Sequence, residues 1–345
     1  MLSALVIGDP HFKVSNAIDT DLMCKAIYQQ IEKLNPDIIV VLGDILDRHE
    51  AIHVDPLSRS INFLRKLSIE RKVYILIGNH DRKNNSDFLS EVHPFTALKQ
   101  WNSIIIVDKV IIDTVNGHKL VFVPYVPPGR FQEALSTVEG KEKGKEKGNG
   151  SIDDATVIFA HQEFKDAKMG AILSTEGDEW DKAILIISGH IHDYDELSDY
   201  IIYVGVPFQH AYGDKDDKTI SFFTFNEYKT YTHVRIDLGL PKKILARIEA
   251  ANLDKFIVPK NSQVKLVITG TTEELKVVMK MSKIKQLMKA GVKIAYKHKR
   301  SSIYVHTNIE QQERQKFITQ LIAEIGDDQT QLAQTNRMMR ELNMA

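Results

Sequence analysis

The sequence predicts a layered α/β domain over residues 1–240, followed by a smaller basic α+β module and a helical tail. Three observations support this prediction. Short β-branched runs alternate with helix-like stretches up to about residue 225, which is typical of layered α/β domains. Several of these runs end in Asp, Asn or His. After Pro241 the alternation stops and basic residues accumulate.

Composition limits the class of protein. A chain of 345 residues, 43% of them hydrophobic, can form two domains with a sizeable core. The net charge of −1 does not indicate a partner, so only the local distribution of charge can. Cys24 is the single cysteine, which excludes an intrachain disulfide and favours a reducing compartment. We expect Cys24 to be a core residue and not a reactive thiol.

Nothing in the sequence predicts export or membrane insertion. Residues 1–7 have no basic segment and form the first predicted strand, not a signal peptide. No window reaches the about 18–20 apolar residues that a membrane span needs. We therefore expect an intracellular, cytoplasmic protein.

The first predicted domain alternates strands with a few helices. Strands are predicted over 2–7, 38–42, 73–77, 104–110, 119–123, 155–160, 183–187, 201–204 and 219–225, the last two in a second sheet. Helices are predicted over 19–34, 56–67 and, interrupted near Pro94, 88–101. Residues 141–150 contain only Lys, Glu and Gly apart from Asn149, which predicts a solvated loop.

A second module is predicted over residues 241–308. Its strands are expected over 264–268, 292–296 and 302–306, with one helix that starts near Thr271 and stops at Gly291. Between residues 264 and 300 there are nine Lys and one Arg against two acids. Such a surface either neutralises nucleic-acid phosphates or is a solvated helix face. Residues 309–345 are polar and helix-prone, and would dock on a partner or on their own domain.

The run Ile38–Leu42 is the central strand of the first domain. It is uninterrupted and apolar, as in a strand buried on both faces of a parallel sheet. Gly43 then allows a sharp turn, and Asp44 follows at the edge where open α/β sheets bind ligands.

Four other predicted strand ends also bring potential metal ligands. A mixture of imidazole, carboxylate and one amide oxygen suits Mn²⁺, Fe or Zn²⁺ better than a calcium or thiolate site. One such strand end would be weak evidence, because a histidine after a strand is usually a loop residue; five ends together favour a metal centre. Catalysis by two metals needs a bridging ligand, and Asp44 can present both oxygens. The residues at the five ends are Asp9 and His11; Asp44; Asn79 and His80; His161; His190 and His192.

These motifs resemble the signature of the calcineurin-like metallophosphoesterase superfamily, in its order, over residues 8–192. The resemblance implies a four-layer αββα sandwich with two divalent metal ions, most simply Mn²⁺, with Fe, Zn²⁺ or Mg²⁺ as alternatives. It assigns Asp9, His11 and His192 to one metal and Asn79, His161 and His190 to the other. Asp44 would bridge the two metals. His80 would be a catalytic residue that is not bound to metal, paired with Asp47.

Further segments resemble the SbcD-type DNA nucleases and their phage counterparts, which act in DNA repair and recombination. These are Val123-Pro124-Tyr125 and Gly205-Val206-Pro207 with Tyr212-Gly213-Asp214. The resemblance implies a manganese-dependent exonuclease and single-strand endonuclease. It also implies a capping domain on DNA, a homodimer and an SMC-like ATPase partner. The alternative is a phosphomonoesterase or small-nucleotide phosphodiesterase of the same superfamily. A second alternative, from a different class, is a scaffold that has the fold but no activity, and such a protein would bind metal weakly.

Substrate contacts are less specified by the sequence. Arg48 either clamps a phosphate or forms a surface salt bridge. Lys283, Lys285 and Lys289, on the predicted helix of the basic module, are candidate DNA contacts.

Overall fold

The computed structural model describes residues 1–49, 51–138, 151–170 and 172–299. The chain forms two compact units. Among the described residues, one unit comprises 1–246, 257–266 and 287–293, and the other comprises 247–256, 267–286 and 294–299. The predicted segments 141–150, 302–306 and 309–345 lie outside the described residues. No helix in the described ranges has the length and apolarity that a membrane span requires.

Strands and short helices make up most of the described chain. The helices are α1 (Ala17–Leu34), α2 (Val54–Leu67), α3 (Phe131–Ser136), α4 (Thr272–Val278) and α5 (Ser282–Lys289). The strands are β1 (Leu2–Ile7), β2 (Ile38–Val41), β3 (Lys72–Leu76), β4 (Ile104–Val107), β5 (Ile111–Val115), β6 (His118–Val123), β7 (Val157–His161), β8 (Lys168–Met169), β9 (Ile172–Leu173), β10 (Ile186–Gly189), β11 (Asp195–Ser198), β12 (Ile201–Tyr203), β13 (Ile220–Phe225), β14 (Tyr231–Ile236), β15 (Lys242–Glu249), β16 (Ser262–Gly270) and β17 (Lys293–His298).

Two six-stranded sheets form the first unit. The first sheet has the order β14-β13-β1-β2-β3-β4, and the second has the order β11-β12-β10-β7-β6-β5. Strands β1 to β4 are mutually parallel, as are β6, β7, β10 and β12. Since the carboxyl ends of parallel strands share one edge, the loops after β1, β2 and β3 lie together, and so do those after β7 and β10.

The two sheets pack face to face with helices outside them. One apolar cluster joins the outer face of the first sheet to α1 and α2, through residues such as Ile39, Ile27 and Phe63. A second cluster fills the space between the sheets, and a third packs α3 on the second sheet. The central strands are apolar on both faces because both faces are covered. The predicted αββα layering is confirmed.

Aromatic and polar contacts connect the two sheets. The ring of Tyr74 on β3 stacks on that of Phe122 on β6, with centroids 3.9 Å apart. The Tyr74 hydroxyl donates a 2.7 Å hydrogen bond to Asp113 on β5, which also accepts one from Lys72. The phenol is therefore buried together with a partner for its hydroxyl, as buried tyrosines require.

Three predicted elements of the first domain differ in the structure, and one hairpin was not predicted. The strand over 219–225 was expected in a second sheet, but β13 returns to the first sheet and pairs antiparallel with β1. The helix over 88–101 is reduced to a 3₁₀ segment, Thr96–Gln100, because Pro94 interrupts the preceding residues. The run 104–110 divides into β4 and the start of a turn before β5. The β8–β9 hairpin had no clear pattern in the sequence.

The basic module contains a three-stranded sheet of order β15-β16-β17. The predicted helix start is confirmed: the Thr271 hydroxyl accepts from the Glu274 amide and the Glu274 carboxylate accepts from the Thr271 amide. The single predicted helix is wrong, because α4 ends at Val278 and α5 begins at Ser282. Between α4 and α5, the amides of Lys280 and Met281 donate hydrogen bonds to the carbonyls three residues before them, as in a 3₁₀ turn. These carbonyls belong to Val277 and Val278, and β-branched residues have a low helix propensity.

Candidate metal centre

Gly43 fixes the turn that presents Asp44. Its φ of +115° is outside the range of ordinary L-residues, and a Cβ there would lie 2.6 Å from His161 Nδ1. A Cβ on Gly78, in the next loop, would meet Asp44 Oδ1 at 2.2 Å. The two glycines therefore allow two loops to close around one carboxylate. Asp44 itself has a φ of 46°, a strained conformation for a non-glycine residue.

The first group of candidate ligands comes from the ends of β1 and β10. Ligand atoms of Asp9, His11 and His192 lie within 4.8 Å of one another. The Nε2 atoms of His11 and His192 face each other at 3.1 Å. His11 also has a φ of 44°, so its backbone is held in the left-handed region.

The second group comes from the ends of β2, β3, β7 and β10. Ligand atoms of Asp44, His161 and His190 also lie within 4.8 Å of one another. The amide oxygen of Asn79 lies 3.0 Å from His161 Nε2 and 3.0 Å from His190 Nδ1. All four side chains therefore converge on one small volume.

Asp44 lies between the two groups. Its Oδ1 is 3.5 Å from His161 Nε2, in the second group, and its Oδ2 is 3.7 Å from His11 Nε2, in the first. The carboxylate thus directs one oxygen to each group, which is the arrangement that a bridging ligand needs.

The donor atoms fit divalent cations. The Nε2 atoms of His11 and His192 face each other, and the Asn79 amide oxygen faces a nitrogen of His161 and one of His190. Each of these close approaches is favourable only with a proton or a cation between the two atoms. Asp9 Oδ1 is buried without any hydrogen-bond partner among the described residues. A buried charged oxygen without a partner is costly unless it binds a metal. The set of four imidazoles, two carboxylates and one amide is that of a Mn²⁺, Fe or Zn²⁺ site.

Burial and mutual charge also shift the protonation of these groups. Burial lowers the pKa of His11 to about 3, so its imidazole is neutral and able to bind a metal. Burial opposes a charge on His161, but the carboxylates of Asp44 and Asp9 raise its pKa to about 9. Without metal, the proton on His161 therefore balances part of the negative charge of these two carboxylates. Bound cations would balance the same charge.

His80 faces the cleft beside these groups without joining either. Its Nδ1 lies 2.8 Å from the main-chain carbonyl of Asp47, so Nδ1–H donates and Nε2 is left free. Its Nε2 is 4.0 Å from Asp44 Oδ2. The pairing of His80 with Asp47 was expected, but the partner atom is the carbonyl, because the Asp47 carboxylate binds Lys13 Nζ at 2.8 Å.

Other predicted contacts are less central. The Arg48 side chain is 77% exposed and its Nε is 3.9 Å from Asp47 Oδ2, a loose surface pair. Lys285 and Lys289 are exposed on α5 and Lys283 is half-buried there.

The sequence reasoning missed several residues near the centre. The His210 ring lies 5.0 Å from that of His11 and 5.5 Å from that of His192, and its Nε2 is 3.2 Å from the Asp9 carbonyl. Lys218 is buried and donates to the His192 carbonyl. His210 lies inside the segment from Gly205 to Asp214 that was singled out for its resemblance, so its position was available as a signal.

An open cleft of about 620 Å³ leads to the centre. It is large enough for an extended ligand, and three lysines lie along it. Its lining residues are Asp44, Asn79, His80, Lys168, Gly170, His190, Ile191, His192, Asp193, Gly213, Asp214, Lys215 and Lys218.

Comparison with known proteins agrees with this geometry. The model of the calcineurin-like phosphoesterase family matches residues 2–194, which include every candidate ligand. The chain belongs to the calcineurin-like phosphoesterase family. It is therefore a metal-dependent phosphoesterase, and the family implies divalent metals at this centre.

Three curated phosphoesterases are similar in sequence. A putative phosphoesterase of Invertebrate iridescent virus 3 is 41% identical over 87% of this chain and 86% of its own length. A putative phosphoesterase of Invertebrate iridescent virus 6 is 38% identical over 79% of this chain and 95% of its own. A probable cyclic nucleotide phosphodiesterase of Vesicomyosocius okutanii is 27% identical over 33% of this chain and 49% of its own.

Proposed function

We propose that this phosphoesterase uses two metal ions to hydrolyse phosphodiester bonds in DNA. The observation that supports two metals most directly is the position of Asp44, with one oxygen toward each group of ligands. Asp9, His11 and His192 would hold one ion, and Asn79, His161 and His190 the other. Mn²⁺ is the proposed ion, with Fe, Zn²⁺ and Mg²⁺ as alternatives. Bound cations would polarise the phosphoryl oxygens and make a water molecule more acidic.

His80 is the proposed catalytic residue. Its donated bond to the Asp47 carbonyl fixes the ring so that Nε2 points into the cleft. In the imidazolium form, with the Nδ1 proton held by the Asp47 carbonyl, a second proton on Nε2 is in position to pass to the oxygen that leaves phosphorus, and such proton transfer contributes about 10²- to 10⁴-fold in rate. Asp47 acts here through its carbonyl, while its carboxylate holds Lys13.

The charges along the cleft favour an extended anionic substrate. Lys168 and Lys215 line the cleft and are 63% and 66% exposed. They are paired with Asp195 and Asp193, but exposed ion pairs are weak, so phosphates could compete for these lysines. Lys283, Lys285 and Lys289 of the basic module are proposed as further contacts with the DNA backbone.

The nuclease hypothesis includes partners. The resemblance to SbcD-type nucleases suggests a role in DNA repair or recombination with an SMC-like ATPase, and a homodimer. The two iridescent virus relatives are named only as phosphoesterases, which is compatible with this hypothesis without specifying DNA.

A second candidate is a phosphodiesterase of small cyclic nucleotides. The similarity to a protein named as a probable cyclic nucleotide phosphodiesterase, over 33% of this chain, favours it. This candidate has no need for the basic module or for lysines along the cleft.

Digestion assays separate the two candidates. Metal-free protein loaded with Mn²⁺ would be incubated with end-labelled single- and double-stranded DNA and, separately, with 2′,3′- and 3′,5′-cyclic nucleotides. The nuclease hypothesis predicts DNA cleavage that disappears in His80→Ala while metal content is retained. Turnover of cyclic nucleotides with intact DNA would favour the second candidate.

A further inference from the structure

His190 differs from the other candidate imidazole ligands in the nitrogen that it directs to the centre. His11 and His192 present Nε2, and so does His161. His190 presents Nδ1, which is 3.0 Å from Asn79 Oδ1. Its Nε2 therefore points away from the centre.

Glu163 lies on that far side of the His190 ring. Its Oε2 is 3.7 Å from His190 Nε2, and it is the one carboxylate within 4.0 Å of this ring in the described ranges. His161 ends β7 and Glu163 follows it by two residues, so the end of this strand contributes both a candidate ligand and a partner for another. Both side chains are largely buried, at 13% exposed for His190 and 17% for Glu163, so the contact is only weakly screened by water.

Ser174 holds the Glu163 carboxylate in place. The Ser174 hydroxyl donates a 2.5 Å hydrogen bond to Glu163 Oε1 and accepts one from the Gly177 amide. The Ser174 amide donates to the Ala167 carbonyl, which closes the base of the β8–β9 hairpin. Lys168 and Gly170 of this hairpin line the cleft. Glu163 is thus connected to the metal centre on one side and to a wall of the cleft on the other.

We propose that Glu163 is a positioning residue for His190. Its carboxylate holds the proton of the imidazole on Nε2 and so leaves the Nδ1 lone pair free for the second metal. Ser174 fixes this carboxylate, so the hairpin that borders the cleft helps to define the geometry of the second metal site. This inference rests on the proposed two-metal centre and adds to it a residue that binds neither metal nor substrate.

A carboxylate is needed for this role, and a neutral amide of the same shape is not equivalent. Glutamine in place of Glu163 keeps the volume and can still accept from Ser174, but it has no negative charge to favour the Nε2–H form. Carboxylate partners of metal-bound histidines raise the basicity of the ligand, and their loss costs about 10- to 100-fold in metal affinity. The expected defect is therefore in metal binding at one site and not in folding.

Calorimetric titration of Mn²⁺ into metal-free protein tests the proposal. Glu163→Gln should bind Mn²⁺ about 10- to 100-fold more weakly at one of two sites, with the other site unchanged. Glu163→Asp should recover part of this affinity, and Ser174→Ala should weaken the same site by a smaller factor. Glu179→Gln is the matched control, because Glu179 is 75% exposed and pairs with Lys165 at the surface.

Urea unfolding of the metal-free proteins separates positioning from general stability. The proposal expects Glu163→Gln to unfold at the same urea concentration as the wild type. Wild-type affinity at both sites in Glu163→Gln would overturn it, and so would a loss of stability large enough to account for the weaker binding. A wild-type protein that takes up no Mn²⁺ would instead overturn the metal centre, and this inference with it.

Discussion

Individual side chains near the centre have distinct surroundings, and the structure separates residues that the sequence motifs group together. In the segment Gly78-Asn79-His80-Asp81, Asn79 faces the metal ligands and His80 faces the cleft. Asp81 is buried, and its carboxylate accepts hydrogen bonds from the main-chain amides of Ile45, Leu46 and Gly78. Three adjacent residues therefore face three different surroundings, for which we propose metal binding, catalysis and loop structure.

Asp81 connects the loops that carry Asp44 and Asn79, so its replacement should cost stability. Asp81→Ala leaves three buried amides without partners, and we expect a loss of about 2–4 kcal/mol in the free energy of unfolding. Asp81→Asn keeps one acceptor oxygen and should lose less. Urea unfolding of the metal-free proteins measures the difference. An Ala variant as stable as the wild type would show that these loops do not depend on Asp81.

His80 and Asp47 should differ in their effects on rate. The carbonyl of Asp47, and not its carboxylate, contacts the His80 ring, so Asp47→Asn leaves this contact in place. We expect His80→Ala to lower kcat by about 10²-fold or more and Asp47→Asn by less than about 10-fold. Steady-state hydrolysis of a chromogenic phosphodiester gives both values. An equal loss in the two variants would indicate that the carboxylate itself takes part.

At the scale of elements, strand ends and their turns determine the position of the ligands. The strands β1, β2, β3, β7 and β10 were each predicted within a few residues, because apolar β-branched runs in a covered parallel sheet are a strong pattern. The candidate ligands could be named for the same reason, since each lies at the end of such a run or just after it. Glu163 and Lys218 could not, because their contacts near the centre depend on how loops from different strands fold back.

The weaker element predictions failed where tertiary context decides the structure. The helix expected over 88–101 has Pro94 in its middle and survives only as a short 3₁₀ segment. The strand β13 has the same alternation whichever sheet it joins, so its pairing with β1 could not be read from its residues.

Gly43 allows a direct test of the turn after β2. Gly43→Ala introduces a Cβ at a positive φ and against His161, so we expect a loss of at least about 2 kcal/mol in stability and weaker metal binding. Gly117→Ala is the matched control, because Gly117 also has a positive φ but a Cβ there would meet nothing within 4 Å beyond its chain neighbours. Similar effects on metal binding in both variants would contradict the role of the close approach. Mn²⁺ titration and urea unfolding provide the two measurements.

At the scale of the whole molecule, the first domain supplies the chemistry and the basic module is proposed to supply affinity for DNA. The family assignment covers residues 2–194 and does not distinguish DNA from small esters. That distinction depends on charge along the cleft and on the basic module, where the sequence shows an excess of lysine but no residue-level motif.

Charge reversal in the basic module tests its contribution. Replacement of Lys283, Lys285 and Lys289 with Glu should weaken DNA cleavage and its dependence on salt, because fewer counterions are released from the phosphates. Hydrolysis of a small chromogenic diester should stay normal. Lys25, Lys33 and Lys109 are exposed and do not line the cleft, so their replacement with Glu is the matched control. Equal loss on both substrates would contradict a guiding role.

The measurement that tests the account most directly is the number and coupling of Mn²⁺ ions in the wild type and in Asp44→Asn. Asp55→Asn, an exposed acid outside the cleft, is the control. We expect two Mn²⁺ per wild-type chain, with the electron paramagnetic resonance signal of a coupled pair and hydrolysis of a phosphodiester. In Asp44→Asn the coupled signal and the hydrolysis should both be lost. An Asp44→Asn protein that keeps a coupled pair and the wild-type rate would contradict the bridging role of Asp44 and the two-metal account.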